Sequence, residues 1–256
     1  MDVKYLASLW KPKDVFMIAG EAGAGKTILS LSLAWHKLQE GKKVGYLSID
    51  EEPEFVVEGC RNLGMDFSKY SELFYPMRLP PYLFSGRVTA ENIASTLTQI
   101  VNEYQLDYLI IDPIAELFPY SMNTIEAREF LRSMVWYFRG YELPRGRLFS
   151  STQKARPLGL LYTSEIPTGT RQLSRFGIEE FLATGVIVLM VKLKHGELRR
   201  YLLVTKMRWR SIPHRVFRYE IVDDVGFQIL GEEEIEMQCI EEDITGRLDD
   251  FLSIGV

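Results

Sequence analysis

The sequence predicts an α/β fold: a mainly parallel twisted sheet flanked by helices, with an antiparallel hairpin extension at its C-terminal end. Over the first 153 residues, short apolar runs alternate with longer stretches of helical periodicity. From Thr184 onward, β-rich runs follow one another around glycines, which is typical of hairpins. A chain of 256 residues can bury one large core. We therefore predict a single domain over 1–256, with its core at about 14–230 and an acidic tail or helix at 231–256.

Composition limits the class of protein. Hydrophobic residues make up 46% and charged residues 25% of the chain, as in soluble globular proteins. The sequence shows no signal-peptide pattern and no apolar run of membrane-spanning length. Cys60 and Cys239 form neither a C-x-x-C pair nor a metal cluster, and the three histidines are scattered. We expect a cytoplasmic protein without membrane insertion.

The net charge of −5 conceals a marked asymmetry. Residues 154–218 hold 13 Lys and Arg against 4 Asp and Glu, whereas residues 219–256 hold 1 against 12. A basic segment followed by an acidic one is typical of a surface that faces a polyanion, or of complementary faces on neighbouring subunits. Solvated faces that happen to segregate by charge are the alternative.

A complete phosphate-loop motif, G-x-x-x-x-G-K-[ST], lies between a predicted strand at 15–19 and a predicted helix at 28–38. Its residues are Gly20, Glu21, Ala22, Gly23, Ala24, Gly25, Lys26 and Thr27. The glycines let backbone N–H groups turn towards phosphate oxygens, Lys26 reaches the β- and γ-phosphates, and the Thr27 hydroxyl can ligate Mg²⁺. A chance match is the alternative, but strand, loop and helix follow in the order that the motif requires. We predict a nucleoside triphosphate site formed by these residues.

Two further predicted strands end in carboxylates. The run at 44–49 is followed by Asp50 and Glu51, and the run at 108–111 is closed by Asp112. The carboxyl ends of parallel strands face the crevice in which such sheets bind ligands. In phosphate-loop proteins an Asp at this place joins the Mg²⁺ shell, so we predict Asp112 as a metal ligand.

The next strand is predicted at 147–152 and ends in Gln153, before a predicted mobile loop at 154–176. A polar side chain at this strand end can hydrogen-bond the γ-phosphate or a water near it, and so report the nucleotide state. The alternative is a strand-end residue without that contact.

The remaining elements follow from periodicity and turn residues. Helices are predicted at 53–63, 90–104 and 124–140, and Thr89 is a suitable N-cap for the second of them. The stretch that contains Pro76, Pro80 and Pro81 is predicted to be irregular. Paired strands are predicted at 184–194 with 197–206, and at 216–222 with 227–230.

Three segments resemble the KaiC-like branch of the RecA-type ATPases. Residues 46–54, YLSIDEEPE, resemble its strand and acidic pair, and residues 176–189 resemble its G-hydrophobic-E-x-F-x-x-x-G-V-I-x-L stretch. Lys206-Met207-Arg208, followed by His214, is similar to its K-M-R-G…H segment. The segments occur in the family's order, and the resemblance extends over about 14–230.

The resemblance implies a RecA-like P-loop NTPase fold, ATP with Mg²⁺, and a homo-oligomeric ring, commonly of six subunits, with ATP between neighbours. It places the family's acidic pair on Asp50 and Glu51, one of which polarises or deprotonates the attacking water. It places the cationic residues that reach the next subunit's γ-phosphate on Lys206 and Arg208. The sequence departs from the family at Asp50, which is more usually Glu, and at Trp209, which is usually Gly.

We predict a KaiC-like ATPase that couples ATP binding or hydrolysis to conformational change in a partner or a polymer. Two alternatives remain open: a RecA/RadA paralogue acting on single-stranded DNA in recombination or repair, and a regulatory or scaffold module that binds ATP with little hydrolysis. For a DNA-binding role the sequence offers the basic and aromatic residues of the predicted loop, near the centre of a ring. These residues are Lys154, Arg156, Tyr162, Arg171, Arg175 and Phe176.

Overall fold

The computed structural model describes residues 1–79, 89–118, 122–143, 148–149, 156–167, 172–194, 196–212 and 215–233. Its helices are α1 (Val3–Leu9), α2 (Lys26–Gln39), α3 (Pro53–Asn62), α4 (Ala90–Tyr104), α5 (Thr124–Phe138) and α6 (Glu179–Leu182). Its strands are β1 (Val15–Gly20), β2 (Val44–Ser48), β3 (Phe74–Arg78), β4 (Tyr108–Asp112), β5 (Gly159–Glu165), β6 (Gly185–Lys194), β7 (Glu197–Met207), β8 (Val216–Val222) and β9 (Gly226–Glu232).

Within these residues the strands form one sheet in the order β3-β2-β4-β5-β1-β6-β7-β8-β9. Neighbours from β3 to β6 run parallel, and β6 to β9 pair antiparallel. One core lies between the sheet and α4 and α5, and a second lies on the face that α1, α2 and α3 cover. The predicted mainly parallel sheet with an antiparallel extension is confirmed.

Helices α4 and α5 begin at side-chain caps, and one of these caps is the predicted Thr89. Thr89 precedes α4, and its side chain accepts a hydrogen bond from the backbone N–H of Asn92. Asn123 and Glu126 form a reciprocal capping box at the start of α5. None of the described helices is both long enough and apolar enough to cross a membrane.

The strand β3 corrects the prediction of an irregular stretch around Pro76. Pro76 lies inside this strand, which pairs only with β2 at one end of the described sheet. An edge strand tolerates proline because one row of its N–H groups needs no partner strand. Pro80 and Pro81 lie outside the described residues.

The strand β5 corrects the largest error. The predicted strand at 147–152 is wrong for the two residues of it that the structure describes. Residues 148–149 form a turn in which Phe149 has a φ of 63°. The rest of that segment lies outside the described residues. The predicted loop at 154–176 instead contains β5, a buried strand between β4 and β1. At the C-terminal end, β9 includes residues 231–232 of the predicted tail, and 234–256 lie outside the described residues.

Candidate nucleotide site

An open cleft of about 240 Å³ lies where β1, β2, β4 and β5 end, at the carboxyl edge of the parallel strands. This is where open α/β sheets bind ligands. The cleft is lined by Ala22, Gly23, Lys26, Thr27, Tyr46, Ser48, Asp50, Glu51, Asp112, Pro113 and Glu165. The sheet therefore brings together the predicted phosphate-loop, acidic-pair and metal-binding residues from three separate segments of the chain.

The phosphate loop takes the conformation that its glycines permit. Gly23 and Gly25 have φ angles of 75° and 85°, in the left-handed region that glycine enters without steric cost. A Cβ on Gly25 would also lie 2.8 Å from the Cδ1 of Ile221, so a side chain at this position would strain the backbone and displace Ile221. Gly25 is the last residue before α2, whose N-terminal N–H groups therefore point into the cleft.

Lys26 is held within the loop. Its Nζ donates hydrogen bonds to the carbonyl oxygens of Gly20 at 3.0 Å and Glu21 at 3.1 Å. Burial lowers the pKa of Lys26, while the nearby carboxylates of Glu165 and Asp112 act in the opposite direction. The ammonium group is thus placed at the cleft with negative charge around it, ready to exchange carbonyl partners for phosphate oxygens.

Asp112 is fixed by hydroxyl groups from two other strands. It is 7% exposed at the end of β4; one carboxylate oxygen accepts a hydrogen bond from the hydroxyl of Tyr46 at 3.1 Å, and the other accepts one from Thr163. Asp112 and Thr27 offer oxygen ligands, which suit Mg²⁺. No group of three or more acidic, His or Cys side chains in the described residues forms a cage for a metal ion.

The acidic pair lies at the opening of the same cleft. Asp50 and Glu51 follow β2 directly, and the Glu51 carbonyl oxygen accepts a hydrogen bond from the Ser48 hydroxyl at 2.6 Å. Burial raises the pKa of Asp50, and the carboxylates of Glu116 and Asp112 raise it further. A carboxylate surrounded by other carboxylates binds a proton more readily, as a group that accepts a proton from water must.

The sequence reasoning missed four lining residues: Tyr46, Ser48, Pro113 and Glu165. Glu165 ends β5 and is the carboxylate that most strongly opposes the lowering of the Lys26 pKa. Gln153, the predicted strand-end sensor, lies outside the described residues. In the described residues, the polar side chain at the end of the strand between β4 and β1 is Glu165. The apolar run at 160–162 could have indicated this strand from the sequence.

The antiparallel extension supports the phosphate loop from outside the motif. The Tyr219 hydroxyl on β8 donates a hydrogen bond to the carbonyl oxygen of Ala24, and its ring stacks on Phe227 with 4.3 Å between ring centroids. Ile221 on the same strand contacts Gly25. The loop is therefore packed against the C-terminal hairpin as well as against β1 and α2.

Lys206 and Arg208 lie at the opposite edge of the sheet. Lys206 pairs with Val186, which pairs with Met17, three residues before the end of β1. Lys206 Nζ donates to the carbonyl oxygen of Glu180 at 2.8 Å, and Arg208 donates to that of Phe181 at 3.1 Å. Burial and the neighbouring Arg208 charge lower the pKa of Lys206 to about 8. Neither side chain faces the cleft of its own chain.

The predicted polyanion-contacting loop is contradicted at Tyr162, whereas contact of its other described members with a polyanion stays a prediction. Tyr162 is fully buried in β5, where its hydroxyl donates to the carbonyl oxygen of Glu179, so it cannot stack on a base. Arg156 pairs with Asp107 near the start of β4, and Arg175 pairs with Glu116 at 2.8 Å. Phe176 packs on Phe118, with ring centroids 4.8 Å apart. Lys154 and Arg171 lie outside the described residues.

Comparisons with known proteins cover most of the chain. A family profile described as "ATPase: KaiC" matches residues 10–234. The circadian clock protein KaiC3 of Synechocystis is 22% identical over 89% of this chain, which spans 44% of that relative's length. A UPF0273 protein of Pyrococcus furiosus is 24% identical over 82% of this chain and 83% of its own length.

A solved structure shows the same fold. The KaiC-like protein of Pyrococcus horikoshii superposes with a TM-score of 0.67, at 23% identity, over 86% of this chain and 90% of that one. At this identity the likeness bears on the architecture alone. It agrees with the mainly parallel sheet and the antiparallel extension described above.

Proposed function

The chain belongs to the KaiC ATPase family, as its three motif segments predict, and we propose that it binds ATP with Mg²⁺ in the cleft and hydrolyses it within a homo-oligomer. In this assembly the cleft of one subunit is completed by Lys206 and Arg208 of the next. Binding or hydrolysis of ATP at this site then drives a conformational change of the assembly.

The observation that carries the proposal is the separation of the cleft from the two cationic residues. By the sheet register, Lys206 lies two strands away from β1 and three residues before its end. With about 3.3 Å per residue along a strand and about 4.8 Å between strands, each component is about 10 Å. The side chain also points to α6 instead of the cleft. A cation that acts on the γ-phosphate from this position serves a neighbouring subunit.

Within the cleft, each group has a role that suits its chemistry. The loop N–H groups and Lys26 bind the phosphates, and Thr27 and Asp112 hold Mg²⁺, which neutralises charge on the phosphate oxygens when it is bound. Asp112 acts through its oxygens while Tyr46 and Thr163 fix its orientation. One carboxylate of the pair Asp50 and Glu51 orients the attacking water and accepts its proton.

A chain of contacts links Asp50, at the cleft, to Lys206, and it supports the proposed coupling. Glu116 is close enough to Asp50 to raise its pKa, and it forms an ion pair with Arg175. The adjacent Ser174 hydroxyl bonds to the carboxylates of both Glu179 and Glu180, the residues that begin α6. Lys206 rests on the carbonyl oxygen of Glu180. A change of charge at the cleft can therefore shift the segment that holds Lys206.

The test is the dependence of turnover on assembly. ATP hydrolysis per subunit should rise with protein concentration and level off where native mass measurements show the oligomer complete. Protein that stays monomeric with ATP and Mg²⁺ at every concentration, yet hydrolyses ATP at a constant rate per subunit, would remove the intersubunit site from the proposal and leave a self-contained one.

A further inference from the structure

Trp209 is the residue that the proposed function leaves unexplained. It is 94% exposed, follows Arg208 directly, and has a φ of 65°. Bulky L residues rarely adopt this left-handed backbone conformation, which glycine adopts freely. An observed outlier of this kind, carrying a large apolar side chain into solvent, is a pointer to function. Single exposed apolar residues are common on protein surfaces, so exposure alone assigns no role to Trp209.

The surroundings of Trp209 are cationic. Lys206 and Arg208 hydrogen-bond to main-chain carbonyl oxygens of α6, and neither forms a salt bridge among the described residues. The nearby Glu180 carboxylate is buried and accepts a hydrogen bond from Ser174. We call Lys206, Arg208 and Trp209 the finger patch. It combines two positive charges with one exposed aromatic ring, a composition favoured at the centre of protein interfaces.

A complementary surface lies at the other edge of the sheet. Phe55 on α3 is 70% exposed, and its neighbours include the exposed carboxylates of Glu51 and Glu58. Phe55 and Glu58 share a face of α3 because they are three residues apart. We call Glu51, Phe55 and Glu58 the acidic patch. It begins at the cleft itself, since Glu51 lines it.

We propose that Trp209 is the apolar anchor of a head-to-tail contact between copies of this chain, in which it packs against Phe55 of the next copy beside that copy's nucleotide cleft. The inference rests on the proposed function, because the same contact brings Lys206 and Arg208 to the neighbour's cleft. The two patches carry opposite charge and lie at opposite edges of the sheet, so the contact uses different surfaces on each copy. Such heterologous contacts repeat from subunit to subunit and close into a ring when the rotation permits.

The experiment measures assembly by sedimentation velocity over a concentration series, with ATP and Mg²⁺, for wild type, Trp209→Gly and Trp209→Phe. Trp209→Gly should raise the concentration for half-assembly by about tenfold or more, as loss of an aromatic anchor does. Its thermal midpoint as a monomer should be unchanged or higher, because glycine suits the backbone. Trp209→Phe should give an intermediate midpoint for assembly.

The matched control is Gln105→Gly, which also replaces an exposed residue of positive φ (53°) but follows α4 and belongs to neither patch. It should assemble like wild type. Phe55→Ser should weaken assembly as Trp209→Gly does, and the double variant should be no weaker than either single one, because both remove the same contact. Nucleotide binding by each monomer, followed with a fluorescent ATP analogue, should stay at the wild-type level.

The Trp209 contact and the proposed intersubunit site can fail separately in these measurements. If wild type assembles and Trp209→Gly assembles equally well, the anchor is refuted while the intersubunit site stands. If the two single variants have additive effects in the double variant, Trp209 does not pack on Phe55. If wild type does not assemble at all, the intersubunit site falls together with the anchor.

Discussion

The two edges of the central sheet place their charged side chains in different surroundings. At the carboxyl edge, the functional groups are held by their own chain: Lys26 by loop carbonyl oxygens, and Asp112 by hydroxyl groups from β2 and β5. At the amino edge, Lys206 and Arg208 rest on carbonyl oxygens of a four-residue helix, next to an almost fully exposed Trp209. The side-chain support of Asp112 fits the proposed ligand site at the carboxyl edge, and the exposed ring of Trp209 fits the proposed contact with a neighbouring copy.

The largest effect is expected from Lys26→Ala at the carboxyl edge. The variant loses the ammonium group that we propose binds the phosphates, so productive ATP binding should disappear. The fold should persist, because the hydrogen bonds of Lys26 are to its own loop. Binding of a fluorescent ATP analogue and the thermal midpoint measure the two effects. Unchanged nucleotide affinity would show that the cleft does not bind phosphates as proposed.

Glu51→Gln should separate binding from hydrolysis at the same edge. The amide keeps the shape of the side chain but cannot accept a proton from water, so ATP binding should persist while turnover falls by about 10²- to 10⁴-fold. Glu54→Gln, one turn away on the exposed side of α3, is the control and should hydrolyse ATP normally. Wild-type turnover in Glu51→Gln would transfer the role to Asp50 or remove it from both.

Mixing variants tests whether the amino edge acts in trans. The double variant Lys206→Ala/Arg208→Ala should be inactive alone, because a cation supplied to the transferred phosphate is worth about 10³ to 10⁵ in rate in related systems. Mixed with the inactive Lys26→Ala protein, it should recover part of the wild-type turnover, since some interfaces then pair an intact cleft with intact fingers. No recovery in mixtures shown to co-assemble would place Lys206 and Arg208 outside the reaction.

Tyr219→Phe examines how the C-terminal hairpin supports the phosphate loop. Removing the hydroxyl leaves the buried carbonyl oxygen of Ala24 without its donor, at a cost of about 1 kcal/mol, which corresponds to roughly a fivefold loss of ATP affinity if the loop bears it. Tyr201→Phe is the control, because Tyr201 is also buried and bonds through its hydroxyl, but to Glu233 at 3.4 Å. Equal effects of both variants on ATP affinity would mean that Tyr219 contributes to general stability only.

The sequence could predict the contiguous part of the cleft and not the part assembled by the sheet. Gly20 to Thr27 form a local motif, and the strand ends at Asp50 and Asp112 follow from apolar runs with polar ends. The support of Asp112 by Thr163 joins residues 51 positions apart, and that of Ala24 by Tyr219 joins residues 195 positions apart. Such contacts depend on strand order, which periodicity does not specify.

The error in β5 has the same origin. Segments 147–152 and 159–165 each contain an apolar run followed by hydroxyl side chains. Either segment therefore fits the pattern of a short strand. Pairing with β4 and β1 on its two sides is what places 159–165 in the sheet. This strand therefore ends at the cleft in Glu165 and not in Gln153. Glu165 was not predicted as a site residue because it lies inside the predicted loop at 154–176.

The smallest effect concerns the charge of Lys206. Burial and the Arg208 charge lower the pKa of Lys206 to about 8, so in the free subunit the ammonium form is lost as the pH rises through that value. Turnover that depends on this charge should therefore decline by about two- to threefold between about pH 7.5 and 8.4. Because the folded pKa lies below the unfolded value of about 10.4, the folded state binds fewer protons between those values. Stability should then rise with pH in that window, and the decline in turnover is not unfolding.

Lys206→Arg separates the titration of this residue from other effects of pH. Arginine stays protonated throughout the range, so the decline in turnover should disappear in this variant, while Lys69→Arg, on the exposed surface far from the finger patch, should keep the wild-type profile. Turnover and thermal midpoint are measured on the same samples at each pH. A Lys206→Arg profile that still falls above pH 8 would assign the titration to another group and would leave Arg208 as the finger that matters.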